Sequence, residues 1–498
     1  VIQIVGFSSS FKVPMFAAET IFGAGALAQG SIPINLLLVG LISDDGTMTE
    51  NGSPVQAFDQ DEANAYAGEG SQLARMFAAA SRVPNVRIWL AAPARAGGAV
   101  GASATITFAG PASSSGEVFF RVGGETVSVT ISSGDTATDI GDATVTAFSE
   151  KPWLPVTAVN DAGEVTLEVK SAGVEGNQYV LHKDETLLAA GVTVTLAGGA
   201  SVTGGGVKFT GGTGTTDVTT LLTAIYSGWY QRIAIAQNDA TNLGRWRTHI
   251  NAKAGPTEGR MEHVVVATNG TQSAAASLST ATLNDPRFQN LWQLNGESHP
   301  SETAAAMAAL RAATEGDDPG ASYDDKQLLG IAPQAFVADW PSVSTQSACL
   351  DNGVTPLLTT NDGRVVVCRS ITTRCLNGTT PDYNTLDTSE AVVPDYVRDG
   401  LRLVWLSEFK PANPRVADDL PDGKERPAGV ATPKRWTQRT VKYLKDLESA
   451  SPPQIIDVDT HLPTSEYNSA AKRIMSICPV VVAPSQHQIG VSVRQMAA

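Results

Sequence analysis

Cysteine is scarce in this chain. Its four residues, Cys349, Cys368, Cys375 and Cys478, form no Cys-x-x-Cys pair, which excludes the usual zinc-knuckle and thioredoxin patterns. Free, mostly buried thiols in a reducing compartment are the expectation. The six histidines, His182, His249, His263, His299, His461 and His487, show no His-x-x-x-His spacing, so no metal site is expected. Gly-x-Ser-x-Gly does not occur, which removes the nucleophile elbow of serine hydrolases. Positive charge is also short: 35 Lys and Arg face 50 Asp and Glu, a net charge of −15, which argues against nucleic acid or an anionic membrane as partner of the whole surface. The longest apolar run near the start, residues 32–42, is too short to cross a bilayer and has no basic segment before it, so neither membrane insertion nor a secretion signal is expected.

What is present is enough apolar sequence for several cores. The 498 residues exceed what one core organises. With 42% hydrophobic and 17% charged residues the chain is globular, and 46 glycines and 27 prolines imply many turns. Residues 34–42 read as a buried strand, 59–80 as one helix and 86–91 as the next strand, a parallel crossover unit. From residue 97 to 206 the pattern changes to short Val/Thr/Ile runs (104–108, 117–122, 126–131, 156–159, 164–169 and 192–196) separated by Gly, Ser, Asp and Asn, with one helical piece at 138–150. This predicts a mostly β insertion, and no cluster of acids, His or Cys marks it as a site.

An α/β pattern is expected to resume at 207–214. Its glycines precede a helix near Asp217 but lack both the Lys-Ser/Thr of a phosphate loop and the third glycine of a dinucleotide fingerprint, so no cofactor is expected. Strands at 232–236, 263–267 and 291–294 alternate with helices at 239–254, 271–282 and 301–314, predicting a sheet covered on both faces. Ligands of such sheets bind at strand C-terminal ends. Gln237, Asn238, Asp239, Asn269 and Asn295 stand there, and cap or turn duty accounts for all of them.

The stretch from Cys349 to Thr373 reads as a helix end (342–350), a stop at Asp351-Asn352-Gly353, and two strands, 355–359 and 364–369. A tight turn at Asn361-Asp362-Gly363 with two positive-φ positions joins them. Further on, residues 392–409 form an apolar-periodic helix ended by Pro411 and Pro414. A second helix, 433–447, carries Lys434, Arg435, Arg439, Lys442 and Lys445; Arg435, Arg439 and Lys442 recur at i, i+4 and i+7 and share a face. The chain begins with a short β segment (Val1, Ile2, Gln3, Ile4, Val5). It ends with a strand at 478–484 and another at 488–494, with Ile489, Val491 and Val493 on one side. Strands at the ends of a chain must find backbone partners, and a neighbouring subunit can supply them.

Asn352-Gly353-Val354-Thr355 together with the run Arg364-Val365-Val366-Val367-Cys368-Arg369-Ser370-Ile371-Thr372-Thr373 resembles the core of contractile tail sheath proteins of bacteriophages. The segment order is most similar to Mu-type phages, or a related phage-derived contractile device. The strand at 34–42, the Gly211-Gly212 re-entry, the late helix pair and the terminal strand follow the same pattern. The resemblance implies an α/β core of sheath-type α+β domains, multidomain, with a mostly β insertion and β-strand arms at both termini. Its division would be a linker arm (1–31), a middle domain (32–96 and 207–340), an outward insertion (97–206), an inner tube-facing domain (341–486) and a C-terminal arm strand (487–498). It further implies a structural subunit that stacks as hexameric rings around a tail tube and contracts to drive the tube through a cell envelope. Partners would be itself, the tube protein, and baseplate and terminator proteins. The place would be a virion tail assembled in the host bacterial cytoplasm. No catalytic, metal or cofactor-binding residues come with it. Val1 to Val5, Ile489, Val491 and Val493 would be the subunit-linking residues, and Lys434, Arg435, Arg439, Lys442 and Lys445 would face the tube. The alternative is an α/β enzyme whose site is built of Asp, Ser and Asn on loops.

Overall fold

The computed structural model describes residues 34–412, 414–421, 424–427 and 429–487. The terminal segments carrying Val1, Ile2, Gln3, Ile4, Val5, Ile489, Val491 and Val493 lie outside the described residues.

An eight-stranded sheet organises the core, in the order Val365–Val367, Thr355–Thr359, Phe288–Trp292, His263–Thr268, Arg232–Ile235, Asn35–Val39, Arg87–Ala91, Val55–Ala57. The inner six strands are parallel and the two edge strands antiparallel. Strands buried on both faces favour apolar residues at consecutive positions. Leu36 and Leu38 accordingly pack with Ala74, Phe77 and Met307 on one face, and Leu37 and Val39 with Leu243, Trp246 and Ile250 on the other. The expected helix over 59–80 is two helices, Gln60–Ala67 and Gln72–Ala80. Gly68 (φ 85°) and Gly70 (φ 77°) break it, and a Cβ on Gly70 would run into the Leu154 and Pro152 carbonyls. Val55–Ala57, which pairs with Arg87–Ala91, has too few residues to show a period and was not legible.

The region after Gly97 forms two four-stranded antiparallel sheets. One runs Thr193–Ala197, Ser103–Ala109, Glu164–Val169, Val156–Asp161; the other Val207–Lys208, Val180–Asp184, Gly116–Val122, Glu125–Ile131. Helix Ala137–Ser149 packs on them. Ile106, Phe108, Phe120, Val129, Leu167 and Phe209 fill the space between. The structure corrects the reading of residues 207–214: Val207–Lys208 pairs with Val180 and Leu181, and Val207 and Phe209 belong to the core of the β unit, not to the parallel sheet. Entry and exit of this unit lie side by side, with Val100 bridged to Thr213 and Ser103 to Thr210.

Ser342 caps the helix Val343–Asp351, and Gly353 (φ 68°) ends it. In the hairpin turn only Gly363 (φ 78°) has positive φ; the Gly363 N–H donates to the Thr360 oxygen at 2.9 Å, the three-residue form of turn rather than the two-residue one. Beyond it, the capping-box helix Thr388–Val404 and the helix Pro433–Glu448 pack together through Val397, Leu401, Tyr443, Leu444 and Leu447. Gly400 faces the Tyr443 hydroxyl, and any side chain there would collide with it. The strand expected over 478–484 shortens to Val481–Val482, paired with Ile455–Ile456. A hairpin that sequence reasoning missed, Thr464–Asn468 with Arg473–Ile477, stands against the second helix. Its mixed polar residues carry no strong alternation.

Candidate interaction surfaces

In the parallel sheet, successive connections run in opposite directions from Asn35–Val39, so a crevice opens beyond the C-terminal ends of that strand and Arg232–Ile235, where open α/β sheets take ligands. Here the chain's own β insertion fills it. The Gln178 side chain exchanges hydrogen bonds with Asn238 at 2.9 and 3.2 Å, the Gln178 carbonyl accepts from Asn269 Nδ2 at 2.7 Å, and His299 Nε2 lies 3.0 Å from the Glu175 carbonyl. Asp239 caps the helix Ala240–Lys253, and Asn295 Nδ2 donates to Asp339 at 3.1 Å. The polar residues expected at this edge are therefore caps and seam contacts, except Gln237, which is fully buried with neither side-chain polar atom bonded among the described residues. A cavity bordered by Asn269, Gln293, Ser298 and Thr303 has room for about one water, about 10 Å³.

The β unit is also fastened from outside. Arg75, on the helix Gln72–Ala80, grips Glu302 (2.7 and 3.1 Å) and donates to the carbonyls of Gly123 and Trp153. Lys170 reaches the Glu69 and Pro152 carbonyls, and His182 lies 2.9 Å from Glu297. Burial pushes the Glu175 carboxyl up to about 7, aided by the Asp239 charge.

Buried ions join the late helices to the sheet. Asp395, 4% exposed, accepts from Arg287 Nη2 at 2.9 Å and Nε at 3.2 Å and lies 3.2 Å from His263 Nε2. Burial alone would raise the Asp395 carboxyl; the Arg287 charge and the His263 bond reverse this and hold it well below the carboxylate range. Burial pushes His263 down to about 4 in spite of Asp395, so the neutral ring donates. One turn on, Arg398 donates to the carbonyls of Ala254 (2.7 Å) and Gly255 (3.0 Å). His487 sits between two carboxylates, Asp324 at Nδ1 and Asp387 at Nε2 (3.1 Å), while Arg369 holds Asp387 with two bonds of 2.8 and 2.9 Å. The two members of each of these contacts are 18 or more residues apart in sequence, so no spacing could announce them.

The five basic residues of the helix Pro433–Glu448 are distributed as follows. Lys434 is exposed. Arg435 turns back to the carbonyls of Arg426, Pro427 and Val430 (2.6 to 3.0 Å). Arg439 pairs with Glu408, Lys442 with Asp446 four residues on, and Lys445 with Asp459. Four of the five thus have partners within the subunit, three of them acidic and at the surface, where each pair is worth roughly 0–1 kcal/mol. Among the described residues no group of three or more His, Cys, Asp or Glu is placed to hold a metal, and no helix is long and apolar enough to cross a membrane.

No protein-family model and no curated protein matches the sequence. Solved structures do. The chain is similar to the sheath tail protein of Listeria innocua, at 12% identity over 92% of this chain and 94% of that one, with a TM-score of 0.50. It is similar also to the helical sheath of the anti-feeding prophage in its contracted state, at 8% identity over 99% and 100%, again with a TM-score of 0.50. The chain has the mixed α/β, multi-sheet fold of contractile-tail sheath proteins. Both neighbours are sheath proteins.

Proposed function

We propose that the chain is a polymerising sheath subunit that stacks as hexameric rings around a tail tube and contracts to drive the tube through a target envelope, in a virion tail or a related device. Its partners in this reading are its own copies, the tube protein, and baseplate and terminator proteins. The observation that carries the proposal is the hairpin Thr464–Asn468 with Arg473–Ile477: among the described residues no third strand joins it, and Ile477 is 53% exposed. A two-stranded sheet is marginal alone and gains from added strands. The β segments at the termini, Val1 to Val5 and Ile489, Val491 and Val493, have the alternation to supply them from neighbouring subunits. In this arrangement residues 341–486 face the tube, with Lys434, Arg435, Arg439, Lys442 and Lys445 toward it, and residues 97–206 face outward.

Deleting residues 1–10 tests the linkage. The variant should remain a folded, soluble subunit and form no tubes by negative-stain electron microscopy. Normal tubes from it would sink the reading.

A further inference from the structure

We infer that Asn377–Gly378 is the chain's site of spontaneous deamidation, a modification that converts Asn377 to aspartate and isoaspartate. The sequence contains five Asn-Gly pairs, at Asn51, Asn269, Asn295, Asn352 and Asn377. In each, glycine leaves its own nitrogen open to approach because it has no side chain. The reaction needs that nitrogen, stripped of its proton by base, to attack the Asn side-chain carbonyl carbon. The bond to the side-chain nitrogen then breaks, ammonia leaves, and a five-membered succinimide remains. Water opens the ring at either carbonyl. The balance is one water in and one ammonia out, with no oxidant or reductant.

The fold separates the five pairs. Asn51 Oδ1 accepts from the Ala94 N–H at 3.1 Å while the Gly52 N–H donates to Thr49 at 3.1 Å. Asn269 is 4% exposed, with Nδ2 donating to the Gln178 carbonyl at 2.7 Å. Asn295 donates to Asp339 at 3.1 Å, and the Gly296 N–H to Gln293 at 3.2 Å. Asn352 donates to the Ala348 carbonyl at 2.7 Å, and the Gly353 N–H to Leu350 at 3.3 Å. Cyclisation at these four must first break a bond to the side chain, and at three of them also one to the attacking nitrogen.

Asn377 differs on every count. It ends the two-residue strand Leu376–Asn377 and pairs across a tight turn with Thr380, and residues 377–380 are all exposed. Gly378 has φ 63° and nothing within 4 Å of the place a Cβ would occupy. Among the described residues no hydrogen bond holds the Asn377 side chain. Ring opening to isoaspartate inserts a main-chain carbon into the turn, which breaks the register with Thr380. It also adds a carboxylate near the Arg374–Asp382 pair (3.0 Å) at the base of the same hairpin.

The full chain, native and separately unfolded in urea, is incubated at mildly alkaline pH and digested, and aspartate and isoaspartate at each pair are counted by mass spectrometry. In the native chain Asn377 should convert at least about tenfold faster than any other pair, whereas in urea the five rates should draw together. Equal conversion at a second pair in the native chain overturns the inference. So does an Asn377 that stays intact in the native chain over the time in which the unfolded chain converts.

Discussion

Asp395→Asn tests how the late helices are tied to the parallel sheet. The substitution keeps shape and removes the charge between Arg287 and His263, both themselves buried at 6% and 2% exposure. Breaking a buried ion pair by neutralising one partner costs about 3–5 kcal/mol, because the other charge stays desolvated without its carboxylate. Arg398 still holds the Ala254 and Gly255 carbonyls, so the helix Thr388–Val404 should stay docked but unfold earlier. The sign with pH follows from the depressed Asp395 carboxyl. Its stabilisation is fully present above the unfolded value of 3.8 and is lost as pH falls toward the lower folded value. Urea unfolding of the soluble subunit at neutral pH should therefore show a loss of about 3–5 kcal/mol. The gap from the parent should narrow well below pH 4, where the carboxylate begins to protonate. A loss under about 1 kcal/mol at neutral pH, or a gap that does not change on acidification, would refute the reasoning.

The neighbouring Asp399 should behave oppositely: burial, then the Asp395 charge, push its carboxyl up to about 7 from 3.8. Its charge opposes folding increasingly as pH rises from the unfolded to the folded value, so Asp399→Asn should leave stability unchanged near pH 4 and raise it by about 2–4 kcal/mol above pH 8, read by thermal melts. Replacing Lys434, Arg435, Arg439, Lys442 and Lys445 together by Glu should give subunits that polymerise but do not retain tube in co-sedimentation; retention at low salt would remove this helix from the tube interface. Removing the β unit by joining Gly97 to Gly214 through a short Gly/Ser linker should leave a folded, less stable chain that still forms tubes, since the two ends adjoin. A cut at residue 206 should precipitate, because it strands Val207 and Phe209 without their core.

The sequence by itself determined the repeating local features. Leu36 to Val39 read as a strand buried on both sides, since a fully covered parallel strand takes apolar residues at consecutive positions and the run is too short for a helix. Gly353 and Gly363 marked their turns by needing φ beyond the reach of branched residues, and Pro433 opened its helix where a missing N–H costs nothing. Such signals are carried by a few adjacent residues. The tertiary structure alone decided the rest. It assigned Val207–Lys208 to the β unit, split the helix at Gly68 and Gly70, and filled the sheet's crevice with Gln178. It also gave the basic face near the C terminus its partners Glu408, Asp446 and Asp459. Asp395 and Arg287 are separated by 108 residues. A contact of that kind leaves no period in the chain, because the attraction that offsets the cost of taking both charges out of water acts only once the sheet and the helix have met.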